Sequence, residues 1–214
     1  MGRRSDHSVG ELRELLISCG HELMAERGFA KFSAREAARR AGYSVGTIYN
    51  VFGSLDGYLI AINSRTFRDW SEWLEHALGT APAEAGARIE ALVRAYFKFA
   101  ESNRNAWMAI YDHRIDRTTM IAKEDEAARE ALTGIVDREV AAWLGGGGVG
   151  GDGVGSGGNA ATRQLVRSLI ATVHGHCSLW LSGSYALMQE DDPAGQALNR
   201  VTEILAAHRT PFRS

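Results

Sequence analysis

Apolar residues along this chain recur every three to four positions, so the sequence predicts helices nearly throughout. Leu12, Leu15, Leu16, Cys19 and Leu23 make a first face, opened by the capping-box pair Ser8 and Glu11 and stopped at Gly28. A second pair, Ser33 with Glu36, opens the short run 34–41, which Gly42 closes. Ser44 is expected to cap a third helix reaching about Phe52, and Ser54 a long one carrying Leu59, Ile62, Phe67, Trp70, Trp73 and Leu74. Beyond Pro82, Ile89, Leu92, Val93, Tyr96, Phe97 and Ala100 share a face, and residues 105–111 make a short helix at best. Ala128, Leu132, Ile135, Val136, Val140 and Trp143 form another face, and residues 165–188 and 194–207 are two further helices. No stretch reads as a strand and nothing repeats. The expected fold is all-α, with about nine helices, three of them complete by residue 52.

Composition bounds the class. The 214 residues are 45% hydrophobic and 23% charged, the globular average, which excludes a disordered chain. No apolar run approaches the roughly 18 residues that span a bilayer, and MGRRSDHS has no apolar core of a leader. A cytoplasmic protein without a membrane partner is the expectation. Cys19 and Cys177 lie far apart in helical patterns, so neither a disulfide framework nor a thiolate metal knuckle is expected. Ten of the fourteen residues 145–158 are glycine, which reads as a flexible loop. A phosphate-cradling loop would need a strand before it and a G-K-[ST] helix start after it, and both are missing.

Charge changes the picture only locally. Net charge is −2, against a basic nucleic-acid coat protein. Residues 1–60 nevertheless hold eight Lys/Arg against seven Asp/Glu, and the remainder sixteen against nineteen. Arg3 and Arg4 stand on the N-terminal arm, and Lys31, Arg35, Arg39 and Arg40 surround the second helix. These cations coincide with a motif. Residues 33–52, SAREAARRAGYSVGTIYNVF, have the anatomy of a helix-turn-helix: two short helices meet at a turn whose Gly42 permits positive φ. Ala37, Ala38 and Ala41 are small where the helices cross, and Ile48 and Phe52 anchor the second helix. Its other face presents Ser44, Val45, Gly46, Thr47, Tyr49 and Asn50, groups suited to phosphates and base edges in a major groove. Gly46 costs about 1 kcal/mol in a helix relative to Ala, a cost that close approach of another molecule would explain.

Residues 9–60 resemble the DNA-binding domain of TetR/AcrR-type regulators. The resemblance lies in Gly28-Phe29, in Ala38-Arg39-Arg40-Ala41-Gly42-Tyr43-Ser44 at the turn, and in Gly46-Thr47-Ile48-Tyr49-Asn50-Val51-Phe52 in the recognition helix. Length and helix number extend it to the whole chain, and Val173-His174-Gly175 resembles the W-H-G signature of one C-terminal subclass. The resemblance implies a helix-turn-helix domain over 1–55 and a helical effector-binding and dimerisation domain over 56–214. It implies phosphate or flanking-base contacts from Ser33, Arg35 and Ser44, backbone contacts from Thr47 and Tyr49, and base reading by Val45, Gly46 and Asn50. Two positions depart from it: the family often has His and Lys on phosphates where this chain has Val51 and Leu55.

The family implies a homodimer built on the last two helices. Val173, Trp180, Leu198, Val201 and Leu205 are the expected interface residues, since an apolar terminal helix pair must bury its face somewhere. Among the aromatic and polar-tipped residues, Trp70, Trp73, Tyr96, Trp107, Tyr111, His174 and Trp180 are the candidate contacts for a small apolar or aromatic effector. No cofactor or metal is expected, because His174 and His176 stand two apart and point to different helix faces. No nucleophile–base motif supports an enzyme, even with Glu101, Asp112 and Asp116 near His113. The expected function is a homodimeric repressor released from a pseudo-palindromic operator by its effector. The alternative is a ligand sensor of the same fold acting through a protein partner without DNA binding.

Overall fold

The structure, a computed structural model, describes residues 7–116, 119–145 and 160–208. Among them are ten α-helices and no strand, one helix more than the periodicity predicts. The helices are α1 (Val9–Arg27), α2 (Ala34–Arg40), α3 (Val45–Phe52), α4 (Leu55–Thr80), α5 (Ala85–Ser102), α6 (Arg104–Asp112), α7 (Lys123–Trp143), α8 (Ala160–Leu181), α9 (Ser184–Leu187) and α10 (Pro193–His208). The extra element arises because the expected helix 165–188 breaks at Gly183, whose left-handed backbone separates α8 from the single turn α9. Most of the glycine-rich loop and the Arg3–Arg4 arm lie outside the described residues. No single helix among the described residues is long and apolar enough to cross a membrane.

The chain packs as two compact units. The first comprises Met1–Asp69 with Asn103–Glu130, and the second Trp70–Ser102 with Ala131–Ser214. The packing unit that holds the helix-turn-helix thus takes in more than residues 1–55, because Leu59 and Ile62 of α4 and Ala109 of α6 complete its core.

In the first unit, Leu16, Leu23 and Met24 of α1 meet Ala37, Ala38, Ile48, Tyr58 and Ile62. Tyr58 is fully buried, and its hydroxyl donates to the Leu16 carbonyl at 2.6 Å. That approach requires Gly20. A Cβ there would overlap the Tyr58 hydroxyl and the Ile62 side chain. The Tyr58 ring in turn lies 4.8 Å from Phe52 at the end of α3.

In the second unit, α5, α8 and α10 pack on one another through Leu92, Tyr96, Leu169, Val173, Val201 and Leu205. Arg88 grips the buried Glu139 carboxylate at 2.6 and 2.9 Å and also donates to the Leu78 carbonyl at 3.2 Å. Arg138 adds a bond to Glu139 at 2.9 Å and pairs with Glu75 at 3.0 Å. The hydrogen bond from Arg88 holds the Glu139 carboxyl below the usual glutamate range, against the cost of burial. Its contribution to stability is therefore complete above that range and is lost as pH falls through it. Arg88→Met leaves the buried Glu139 carboxylate with its bond from Arg138 and without the Arg88 fork, and is expected to cost about 2 kcal/mol at neutral pH, in urea unfolding followed by circular dichroism. The deficit should shrink as Glu139 is protonated in acid.

Candidate DNA-binding interface

The α2–α3 corner is built from its buried side outward. Ala37, Ala38 and Ile48 are fully buried, so the helices cross at close range. Gly42 takes φ 83°, and the Gly42 and Tyr43 amides donate back to Arg39 and Ala38 carbonyls at 3.1 and 2.9 Å. Val51 and Phe52 pack partly against the same core. With that side fixed, Ser33, Arg35, Ser44, Gly46, Tyr49 and Asn50 are exposed, while Val45 and Thr47 are half-buried. The eight candidate DNA-contact positions therefore share one corner, with the Tyr49 ring 47% exposed.

Two local expectations need correction. Ser44 stands at the N-cap of α3 with extended backbone, but its hydroxyl makes no bond to a helix amide and lies 3.4 Å from the Thr47 hydroxyl. The second capping box is half formed. The Ser33 hydroxyl accepts from the Glu36 amide at 3.3 Å, whereas the Glu36 carboxylate turns to Arg39 at 2.8 and 2.7 Å. That bidentate hydrogen bond from Arg39 brings the Glu36 carboxyl down to about 2.

The same pairing thins the basic cluster. Arg40 is held by Glu26 at 2.8 and 2.7 Å, and Arg39 by Glu36. Arg35 and Lys31 are exposed and make no ion pair among the described residues. Exposed pairs are worth about 0–1 kcal/mol, so a phosphate competes readily for Arg39. Of the two departures from the family pattern, Val51 has a packing role. Leu55, 39% exposed at the start of α4, has none that the structure explains.

Two short chains of contacts run from the α3–α4 corner within the first unit. The Arg13 guanidinium lies 5.3 Å over the Phe52 ring and pairs with Glu124 in the first turn of α7. Asp56, just past the recognition helix, meets His113 Nε2 at 3.1 Å, and the His113 ring lies 6.0 Å from Phe29. The same unit holds a cavity of about 260 Å³ walled by Ile60, Asn63, Ser64 and Phe67 of α4, Ile110 of α6, Ile115, Ile121, and the start of α7. None of the seven candidate effector contacts lines it.

Those seven are divided between the units. Trp107 and Tyr111 meet at a tilt, ring centroids 5.0 Å apart, in the first unit. In the second, Trp70 stacks on Phe99 at 5.2 Å, Trp73 meets Phe99 edge-on at 6.0 Å, and Trp180 lies 5.7 Å from Phe97. The Tyr96 hydroxyl lies 3.1 Å from His174 Nδ1, and His176 Nδ1 lies 2.6 Å from the Tyr185 hydroxyl on another face. Of the five expected dimer residues, Val173, Val201 and Leu205 are buried within their own unit, and Trp180 and Leu198 keep half-exposed surface. The cavity had one sequence signal: Asn63-Ser64, with Thr66, interrupts the mostly apolar inner side of α4. No group of three His, Cys, Asp or Glu among the described residues is placed to hold a metal ion.

Comparison with known proteins follows this anatomy. Residues 16–62 match the family described as bacterial regulatory proteins, tetR family, and residues 89–206 match a tetracyclin repressor-like C-terminal domain. The HTH-type transcriptional activator FasR of Mycolicibacterium smegmatis is 27% identical over 126 residues, 59% of this chain. The chain spans little more than half of that relative, 57% of its length. A protein of unknown function from Rhodococcus sp. RHA1 superposes with a TM-score of 0.69 at 22% identity, covering 98% of this chain and 100% of that one. A tetR-family regulator from Streptomyces coelicolor gives 0.62 at 20%, covering 94% and 82%. FadR from Bacillus subtilis, in complex with stearoyl-CoA, gives 0.60 at 17%, covering 91% and 98%. At these identities the three structures share the fold.

Gly46 separates packing from function. A Cβ there would meet only the Ser44 hydroxyl at 3.5 Å, an ordinary contact, so the fold has room for Ala. Gly46→Ala is expected to leave the melting temperature unchanged or raised by up to about 1 kcal/mol of stability, while weakening DNA binding at least about tenfold in a mobility-shift titration.

Proposed function

We propose, on the premise that the chain belongs to the TetR family of bacterial regulatory proteins, that it is a homodimeric repressor of transcription released from a pseudo-palindromic operator by a small apolar or aromatic effector. The observation that carries this is α3 itself: Ile48, Val51 and Phe52 fix its inner side, and Gly46, Tyr49 and Asn50 remain at the surface. Two such helices related by a two-fold axis would read half-sites about one DNA turn apart. Functionally the boundary falls after α3, near residue 55, even though packing joins the corner to α4 and α6. DNA as the partner implies a cytoplasmic site of action.

We assign the effector site to the cavity walled by α4, α6 and α7 rather than to the aromatic positions of the second unit, which are mostly occupied in packing. A ligand entering there displaces the first turn of α7. Glu124 then no longer holds Arg13 against Phe52, and the adjoining end of α6 no longer holds His113 on Asp56. Both changes bear on the end of α3. The effector must bind better to the conformation whose recognition helices miss the half-sites, and operator must weaken effector binding by the same factor. Stearoyl-CoA, the ligand of the Bacillus subtilis neighbour, is not carried over. Its polyphosphate would meet carboxylates in a cavity of about 260 Å³.

Dimerisation would use apolar side chains left at the surface around the last three helices: Leu179, Leu187 and Met188, with Trp180 and Leu198. Repression is the expected sign, although the relative FasR is an activator. Selection of duplexes from a random pool by the purified protein tests the proposal. An enriched pseudo-palindrome, lost in Tyr49→Ala with the fold intact, is expected, and a reporter carrying it should be silenced by the protein. No enrichment by a folded dimer would contradict the proposal and favour a sensor acting through a protein partner, with Leu55 marking the lost phosphate contact.

A further inference from the structure

The cavity walled by α4, α6 and α7 is charged as well as apolar. Asp125, Glu126 and Glu130 line it against a single cation, Arg129, whose guanidinium lies 5.4 Å over the Phe67 ring. Asp125 is only 8% exposed, and its carboxylate makes no ion pair or hydrogen bond among the described residues. Carboxylates in a first turn are favoured by the helix dipole, which accounts for acids at the start of α7. The dipole does not account for one buried beside a void. An unmet acceptor lines the same cavity from α4: Asn63 is 5% exposed, and its Oδ1 has no hydrogen-bond partner. A buried acceptor left unpaired costs roughly 1–3 kcal/mol.

We propose that this cavity takes a small organic cation, an apolar body carrying a protonated amine. This presupposes that the cavity is the effector site. An anion would face three carboxylates with one guanidinium to offset them, and a neutral hydrocarbon would desolvate Asp125 and leave Asn63 unsatisfied. An ammonium group has three donors and no acceptor, so one group serves the Asp125 carboxylate and the Asn63 carbonyl together. Ile60, Ile110 and Phe67 cover the apolar body.

Calorimetry with the full chain and three nearly isosteric probes tests this: 2-phenylethylammonium, 2-phenylethanol and phenylacetate. The ammonium is expected to bind, the alcohol at least about tenfold more weakly, and phenylacetate not measurably. Asp125→Asn should remove most of the preference for ammonium over alcohol, and Asn63→Ala should weaken both. Glu203→Gln, on α10, should change neither. Circular dichroism melts establish that each variant is folded, and the Asn63 variant carries the test if the Asp125 variant is not. Phenylacetate binding as tightly as the ammonium, an unchanged preference in folded Asp125→Asn, or no binding of any probe at millimolar concentration would each overturn the proposal. Duplex binding without probe, measured on the same preparation, separates the two claims. DNA binding without ammonium binding removes the cation alone, and ammonium binding without DNA binding removes the regulator alone.

Discussion

The first unit depends on one buried hydrogen bond, from the Tyr58 hydroxyl to the Leu16 carbonyl at 2.6 Å. Its net worth is the ordinary 0.5–1.5 kcal/mol or so, but its geometric consequence is larger. It fixes where α4 crosses α1, and only glycine at position 20 allows that crossing. Burial pushes the Tyr58 phenol well above its usual range, so it remains a donor wherever the protein is folded. Phe52 rests on the Tyr58 ring, and the attitude of α3 follows from that contact together with the Ile48 anchor. A recognition helix of eight residues has too few hydrogen bonds to hold itself, so its orientation is inherited from this crossing.

The same dependence ties α3 to residues outside the helix-turn-helix. Phe52 is touched from one side by Tyr58 and from the other by Arg13, whose partner Glu124 adjoins the cavity residues Asp125 and Glu126. Asp56, four residues beyond Phe52, is held by His113, three residues beyond the cavity residue Ile110. Both partners thus stand close in sequence to residues that wall the cavity. A coupled equilibrium between effector and DNA, as proposed above, requires that such contacts have a formed and a broken arrangement.

The helices were legible because their apolar spacing is regular and their ends are marked by Ser8, Ser33, Gly28 and Gly42. The recognition corner was legible because a close crossing of short helices leaves a dense signature of Ala, Gly and Ile. Other features were not. Serine at position 44 looks like any cap, and whether its hydroxyl bonds an amide or a neighbouring threonine is decided by a rotamer. The arginines around α2 look like a DNA-facing cluster, but Glu26, fourteen residues before Arg40, claims one of them through tertiary proximity. The aromatic residues of α4 and α5 resemble a ligand cage because packing and binding use the same side chains. The cavity hides for the opposite reason, its walls coming from separated segments of α4, α6, α7 and the stretch between α6 and α7. Gly20 is invisible as a packing device, since nothing nearby in sequence announces that Tyr58 will meet it.

The central claim is that α3, so positioned, enters the major groove. The native thiols leave room for a direct test. Burial raises the Cys19 thiol above its usual range and pushes the buried Cys177 up to about 12, so an introduced cysteine reacts first. An iron chelate tethered at Asn50→Cys should cut a selected duplex at two clusters centred about one helical turn apart, with the chelate at Lys98→Cys on α5 cutting nowhere. A retained complex that is not cut from position 50, or is cut equally from position 98, would contradict the claim.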